Sequence, residues 1–169
     1  PDEIERFVVR WQPSKAKKFQ DDMQKVVFEM MAGVKFLIMN IEAFSSERGK
    51  KAAYYFLRKN EDNIMIIDES TTIKNRKANR TKNILQVSKY AKYKRILTGS
   101  PVTKSPMDLF SQCGFLDAMA LGQASYFAFQ NRYAVVQRKT FGSRSFNDIV
   151  GYKRLDELNG ILTQFSART

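Results

Sequence analysis

The sequence predicts an α/β fold, a parallel sheet with helices on both faces and a small helical and hairpin appendage. Three observations predict it. Short apolar runs alternate with segments of helical periodicity. The runs lack the polar alternation of a half-solvated sheet, as expected of strands buried on both sides. The pattern then changes after Pro101, where aromatic-rich helices and a hairpin replace the alternation.

The elements follow in order. Phe7, Val8 and Val9 form a β-favouring run. Pro13-Ser14 opens a helix with Ser14 as N-cap. Phe19, Met23, Val26 and Met30 line its inner face, and Gly33 stops it. Residues 34–41 read as a buried strand, polar only at Lys35 and Asn40. A helix over about 50–58 turns Ala53, Phe56 and Leu57 inward. After the polar turn 60–63 comes Ile64-Met65-Ile66-Ile67, which stops abruptly at Asp68-Glu69. A helix over about 77–90, with Ile84, Leu85 and Ser88 inward, leads to a strand over 95–97. That strand ends in Thr98-Gly99-Ser100-Pro101. Residues 107–116 and 126–133 read as helices. Residues 135–139 and 146–152 pair as a hairpin across Gly142-Ser143. A last amphipathic helix over 155–165 places Leu155, Leu158, Leu162 and Phe165 on one side. The core sheet then covers about 1–104, the appendage about 105–153 and the closing helix about 154–166.

Composition narrows the function classes. With 169 residues the chain is long enough for one domain with a real core. No apolar run approaches the roughly 18 residues that span a bilayer, so no membrane partner is expected. A single cysteine, Cys113, and no histidine exclude an internal disulfide and leave no basis for a zinc site. A reducing, cytoplasmic setting fits that usage. Pro1-Asp2-Glu3-Ile4 is no signal peptide and has no initiator Met, as expected of a piece of a longer polypeptide. A formal charge of +12, from 29 basic and 17 acidic residues, favours a polyanion partner such as nucleic acid.

Two segments carry chemistry. Asp68 and Glu69 follow an apolar strand, which puts two carboxylates at the carboxyl edge of a parallel sheet, the edge where α/β proteins bind ligands. In nucleotide hydrolases one such carboxylate holds Mg²⁺ and the other orients or deprotonates the attacking water. Alone, the pattern is more often that of a strand ending in a solvated acidic turn. Thr98-Gly99-Ser100-Pro101 has its own logic. Glycine permits close backbone approach or positive φ, proline stiffens the exit, and two hydroxyls can bond backbone or phosphate. Alone it is a turn.

Together they resemble a family. Asp68-Glu69-Ser70-Thr71-Thr72-Ile73-Lys74-Asn75 is followed by Arg95-Ile96-Leu97-Thr98-Gly99-Ser100-Pro101-Val102. The pair is similar to the second and third motifs of the Swi/Snf-type ATPases of helicase superfamily two. There the forms are Asp-Glu-Ala-His with Ile-Lys-Asn, and Leu-Thr-Gly-Thr-Pro. Phe36 through Ala43, Asp108-Leu109-Phe110 through Phe115-Leu116, Phe129-Gln130-Asn131-Arg132-Tyr133 and residues 155–168 resemble further family elements in the same order. The wording resembles phage-encoded members most, which would place the protein in the host cytoplasm.

The resemblance implies a RecA-like parallel sheet, three-layered, lacking its first strand and helix, in an ATP-dependent DNA helicase or translocase. It implies ATP and Mg²⁺ as cofactors, with Asp68 on the metal and Glu69 activating water. Thr98, Gly99 and Ser100 would couple nucleotide to DNA. Asn40, Lys74, Thr103 and Lys104 would touch DNA, single- or double-stranded, without reading sequence. A second motor lobe is the implied partner, because the family's catalytic arginines belong to it. Two departures stand out. Thr71 occupies the motif's histidine position and cannot carry its charge. No Gly-x-x-x-x-Gly-Lys-Ser/Thr occurs, and Gly49-Lys50 reads as a loop or helix start rather than a phosphate cradle. The 169 residues alone are therefore expected not to hydrolyse ATP.

Two rivals remain open at this level. One is a non-enzymatic basic module that binds nucleic acid on a degenerate motor fold. The other is a phosphodiester hydrolase in which Asp108 or Asp117 joins Asp68 and Glu69. Other groups have ordinary explanations beside functional ones. The basic cluster Lys74, Arg76, Lys77, Arg80 and Lys82 reads as a solvated face, as do Lys89, Lys92, Lys94 and Arg95. Tyr54-Tyr55 and Tyr126-Phe127 suit packing more than base stacking. Arg138, Lys139 and Arg144 are placed to reach phosphates, and Cys113 suits a buried structural position.

Overall fold

The computed structural model describes residues 5–13, 17–28 and 33–167. Strand β1 (Arg6–Arg10) precedes helix α1 (Lys17–Phe28) and strand β2 (Val34–Ile38). Helix α2 (Glu47–Lys59), strand β3 (Ile64–Ile67), helix α3 (Asn79–Val87) and strand β4 (Tyr93–Ile96) follow. Helices α4 (Leu109–Leu116) and α5 (Tyr126–Tyr133), strands β5 (Ala134–Phe141) and β6 (Arg144–Tyr152), and helix α6 (Leu155–Thr163) complete the order. Short 3₁₀ turns span Ile41–Ser45, Ser70–Ile73, Ser88–Tyr90 and Pro106–Asp108. The chain divides into two compact units. The first holds the residues up to Asp68 with Asn75–Leu97, the second Glu69–Lys74 with Thr98–Thr169.

In the first unit β1 pairs parallel with β2, and β3 parallel with β4. The expected continuous sheet is thus two separate parallel pairs among the described residues. The expectation of strands buried on both faces is corrected as well. Val8, Val34, Phe36 and Ile38 are exposed, and so are Ile64, Tyr93 and Ile66, the last at 56%. Side chains alternate along a strand, so one face of each pair is uncovered. A cavity of about 350 Å³ lies between β2 and β3, lined by Leu37, Ile38, Ile64, Ile66, Leu57 and Ile84 among others.

Caps explain where the elements stop. The strand expected over 34–41 ends at Ile38, because Asn40 turns the chain and accepts the Glu42 N–H at 3.1 Å. Helix α2 starts earlier than expected because Ser46 caps it, accepting the Gly49 N–H at 3.1 Å. Gly49 lies in the first turn of α2, where an added Cβ would sit 2.2 Å from the Ala43 carbonyl oxygen. That glycine is there for packing, which removes the remaining reason to read Gly49-Lys50 as a phosphate cradle. Asn63 holds the turn before β3, with its amide nitrogen donating to the carbonyls of Asn60 at 2.6 Å and Leu57 at 3.0 Å. The expected helix over 77–90 is α3 followed by a 3₁₀ turn. Thr81, Ile84, Val87 and Ser88 are buried there, and Leu85 only partly. Ser14 as cap, Met30 as a face residue and the side chain of Phe19 lie outside the described residues. Of the other two face residues of α1, Val26 is buried and Met23 half-buried.

The second unit has its own core. Met107, Leu109, Cys113, Leu121, Phe129, Tyr133 and Leu158 form it with Ala134. Burial raises the Cys113 thiol to about 12, so it stays protonated and inert at neutral pH. Helix α5 keeps its expected bounds. It is capped by Ser125, which accepts the Ala128 N–H at 3.2 Å. The hairpin turns at Gly142-Ser143, with Gly142 at φ +58°, as a two-residue connection requires. Of the four residues expected inside α6, Leu158 is buried and Leu162 partly so, while Leu155 and Phe165 are exposed.

Candidate functional site

Strand β3 delivers Asp68 to its carboxyl end, where the residue also borders the cavity between β2 and β3. Glu69 follows in the left-handed region, at φ +52° and ψ +60°. A side chain larger than asparagine rarely sits there, and the conformation costs about 1–3 kcal/mol. Two bonds hold it. The Thr72 backbone N–H and hydroxyl both donate to the Glu69 carbonyl, at 3.0 and 2.8 Å. Backbone strain of this kind concentrates at working sites.

The turn that follows is anchored deep in the second unit. Ser70 and Ile73 are both fully buried, at 0% exposure. The Ser70 hydroxyl donates to Gln112 Oε1 at 2.6 Å. Gln112, on α4, is itself fully buried. Its Nε2 donates to the carbonyl oxygens of Pro101 at 2.7 Å and Asp108 at 2.9 Å. One buried amide therefore ties the turn after the carboxylate pair to the end of Thr98-Gly99-Ser100-Pro101. Sequence reading missed Gln112. It stands beside Ser111 in an otherwise mostly apolar helix, and its hydroxyl partner lies 42 positions away.

A second cluster lies at the surface of the same unit. Asp108 Oδ2 accepts the Thr103 N–H at 3.2 Å, the Thr103 hydroxyl at 2.9 Å and the Lys104 N–H at 3.1 Å. Partial burial works to raise its carboxyl. The bonds from Lys104, Thr103 and Ser105 outweigh burial and hold it below the usual carboxylate range. The Lys74 ammonium donates to the Thr103 hydroxyl. Three of the expected DNA-contacting residues, Lys74, Thr103 and Lys104, thus meet around Asp108. Asn40 belongs to the first unit and spends its side-chain carbonyl on its cap. Ser100 donates its N–H to Thr98 Oγ1 at 3.3 Å and its hydroxyl to the Val102 carbonyl at 3.2 Å. Of the two reasons for a glycine at position 99, the structure keeps room for close backbone approach and not positive φ. Its φ is not positive, and no protein atom lies within 4 Å of an added Cβ.

The remaining candidates resolve by contact. Arg80 pairs with Glu42 at 2.5 Å, and Lys92 with Asp62 at 2.8 Å. Tyr54 packs edge-on against Tyr55 and Tyr90, and Tyr126 against Phe110, in line with packing, while Tyr55 and Phe127 remain exposed. The extra carboxylates of the phosphodiester hydrolase rival each have hydrogen-bond partners of their own. Asp108 is engaged by three donors, and Asp117 Oδ1 accepts the Met119 N–H at 2.6 Å. Among the described residues no group of three or more carboxylate, cysteine or histidine side chains is placed to hold a metal. Nor does any described helix have the length and apolarity to cross a membrane.

Comparison with known proteins places this arrangement. The chain is 33% identical over 105 residues to a DNA annealing helicase and endonuclease of Bos taurus, ZRANB3, covering 62% of the chain and 10% of that protein. It is 26% identical over 167 residues to the human ZRANB3 protein, covering 99% of the chain and 15% of the relative. It is also 32% identical over 117 residues to a Drosophila melanogaster protein described as SWI/SNF-related matrix-associated actin-dependent regulator of chromatin subfamily A-like protein 1, covering 65% of the chain and 15% of that protein. The chain thus spans about a tenth to a seventh of the length of these curated relatives. No solved structure matches it. The model of the SNF2-related domain matches residues 2–168, nearly the full length, and the chain belongs to that family.

Proposed function

We propose that the chain is part of the first motor lobe of an ATP-dependent DNA translocase or helicase of the Swi/Snf type, of the phage-encoded kind. The observation that carries this reading is Gln112. Its buried amide joins the turn beginning at Ser70, directly after Asp68-Glu69, to Pro101 at the end of the Thr-Gly-Ser-Pro segment. A motor must convert a change at the nucleotide into a change at the track. A rigid link between the carboxylate motif and the segment leading to Thr103 and Lys104 is such a connection.

In this reading Asp68 holds Mg²⁺ and Glu69 accepts the proton of the attacking water. The bound Mg²⁺–ATP supplies the phosphoryl group and the charge compensation of its leaving group. The donor set fits, since two adjacent carboxylates at a strand end are oxygen ligands suited to a hard cation. The open space around Gly99 leaves room for a phosphate to approach its backbone. Lys74, Thr103 and Lys104 track the DNA backbone independently of sequence. A second lobe supplies the arginines. The RecA-like sheet becomes continuous when a strand from the longer polypeptide enters the cavity between β2 and β3, with further chain covering the exposed apolar faces.

The sequence holds no phosphate-binding loop, so these residues alone leave most of the triphosphate charge uncompensated. Phosphate release by the purified 169-residue chain, with and without DNA, tests this. No saturable turnover is expected, and addition of the missing loop and second lobe restores it. DNA-stimulated release from the chain alone that Asp68→Ala abolishes would contradict the assignment.

A further inference from the structure

The hairpin of β5 and β6 is built unlike the rest of the second unit. Its stem is fixed. Tyr133 and Ala134 are buried, and the Lys153 N–H donates to the Tyr133 carbonyl at 2.9 Å. Below the stem, Arg132 grips Glu157 through two bonds, at 2.6 and 2.9 Å, and the Tyr133 hydroxyl donates to the same carboxylate at 2.8 Å. Beyond the stem Ile149 still touches the core, while the β5 strand runs exposed. Every residue from Val135 to Phe141 is exposed. A two-stranded ribbon without a core is marginal by itself. Phe141 in particular has almost no packing partner there.

The exposed face has a definite composition. Pairing sets Lys139 opposite Phe146 and Phe141 opposite position 144. Directly opposed residues of an antiparallel pair share a face, so Phe141, Phe146 and Lys139 lie together near the tip. Phe141 is 84% exposed and Phe146 51%. The ribbon carries Arg138, Lys139 and Arg144 against one carboxylate, Asp148, which Lys139 engages at 2.5 Å.

We propose that this ribbon is a binding element for unpaired nucleic-acid strands, with bases stacking on Phe141 and Phe146, and with Lys139, on the same face, meeting the phosphates. Exposed rings beside excess positive charge are what single-strand binding needs, because every base offers a face to stack on and every link a phosphate to neutralise. A duplex hides those faces, so the ribbon prefers strands that are already open. The inference rests on the reading of the chain as part of a DNA motor and names a site outside the motor motifs.

Affinity of the chain for a 20-nucleotide oligo(dT), an abasic oligomer of equal length and anionic phospholipid vesicles tests it. Phe141→Ala and Phe146→Ala should each weaken oligo(dT) binding about 5- to 100-fold, the range of one lost base–ring stack. Abasic binding should be unchanged. Phe141→Trp, which keeps a stacking ring, should retain wild-type affinity and report that the ribbon still forms. Lys139→Gln should weaken both oligomers and lower the salt slope by about 0.7. Equal losses on both oligomers in the Phe variants, no loss on either, or binding of vesicles in preference to oligo(dT) would overturn the proposal. None of these outcomes touches the ATPase assignment, whose own test is phosphate release.

Discussion

Gln112 and Phe141 belong to the same unit and are treated in opposite ways. Around Gln112 the polar groups are sealed from solvent, and each of its hydrogen bonds reaches a different chain segment. Around Phe141 apolar surface stands in water with no core beneath it. A buried amide that is fully satisfied fixes one geometry, because any other arrangement leaves a polar group unpaired at a cost of about 1–3 kcal/mol. An exposed ring fixes nothing in the fold, and its surface stays available to something else. One region transmits position and the other offers contact.

The largest effect on stability should come from cutting the buried link. Gln112→Leu keeps the volume but strands the Ser70 hydroxyl and removes the donor to Pro101 and Asp108. It should cost about 2–5 kcal/mol, read as a shift in denaturation midpoint. A loss below about 1 kcal/mol would mean that water or a neighbour replaces the amide, and the link would not be rigid. Phe141→Ala is the matching control and should leave the midpoint unchanged.

Acid and alkali probe the same contrast. The bond from Arg132, then that from Tyr133, holds the Glu157 carboxyl below its usual range. Its folded value is depressed, so its contribution is present above the unfolded value near 4.3 and lost as pH falls through the folded one. Asp108 behaves likewise. Stability should therefore decline below about pH 4, and Glu157→Gln should flatten part of that decline. Cys113 acts in the other direction. Its folded value is raised to about 12, so its contribution is intact below the unfolded value near 8.5. It is then lost by about 1.4 kcal/mol per pH unit on rising toward the folded one. Cys113→Ala should remove that alkaline slope. A thiol reagent at pH 8 should label the native chain only as fast as it unfolds.

The smallest effect should sit one residue from the largest. Ser111 Oγ is buried with no hydrogen-bond partner. Ser111→Ala should therefore be neutral or stabilising by up to about 1 kcal/mol. A destabilisation would show that the hydroxyl is satisfied in solution.

Much of this was legible before any coordinates. The hairpin turn is legible in Gly142-Ser143 between two β-favouring runs, and α5 in the aromatic-rich stretch 126–133. The carboxylate pair and the Thr-Gly-Ser-Pro segment were readable because their chemistry is local. The split of the sheet was not readable. Ile64 and Ile66 look like buried strand residues in any parallel sheet, and periodicity cannot say whether the covering chain is present. Strand β2 was read three residues too long, because Asn40 resembles one polar interruption in an apolar run until its side chain is seen capping the next turn. Glu69 carries no sequence mark of its left-handed backbone. Gln112 was invisible for the reason that makes it matter, a bond to a partner 42 positions away that no local pattern marks.

In the motor proposed above, Glu69 is the residue that activates the attacking water. The most direct measurement is DNA-stimulated phosphate release by the complete motor carrying Glu69→Gln, alongside its binding of nucleotide and DNA. Loss of a positioned general base should cut turnover by about 10²-fold or more, with both binding affinities largely kept. Turnover within a few-fold of the unsubstituted motor would contradict the account and return the Asp68-Glu69 pair to an acidic turn at the end of a strand.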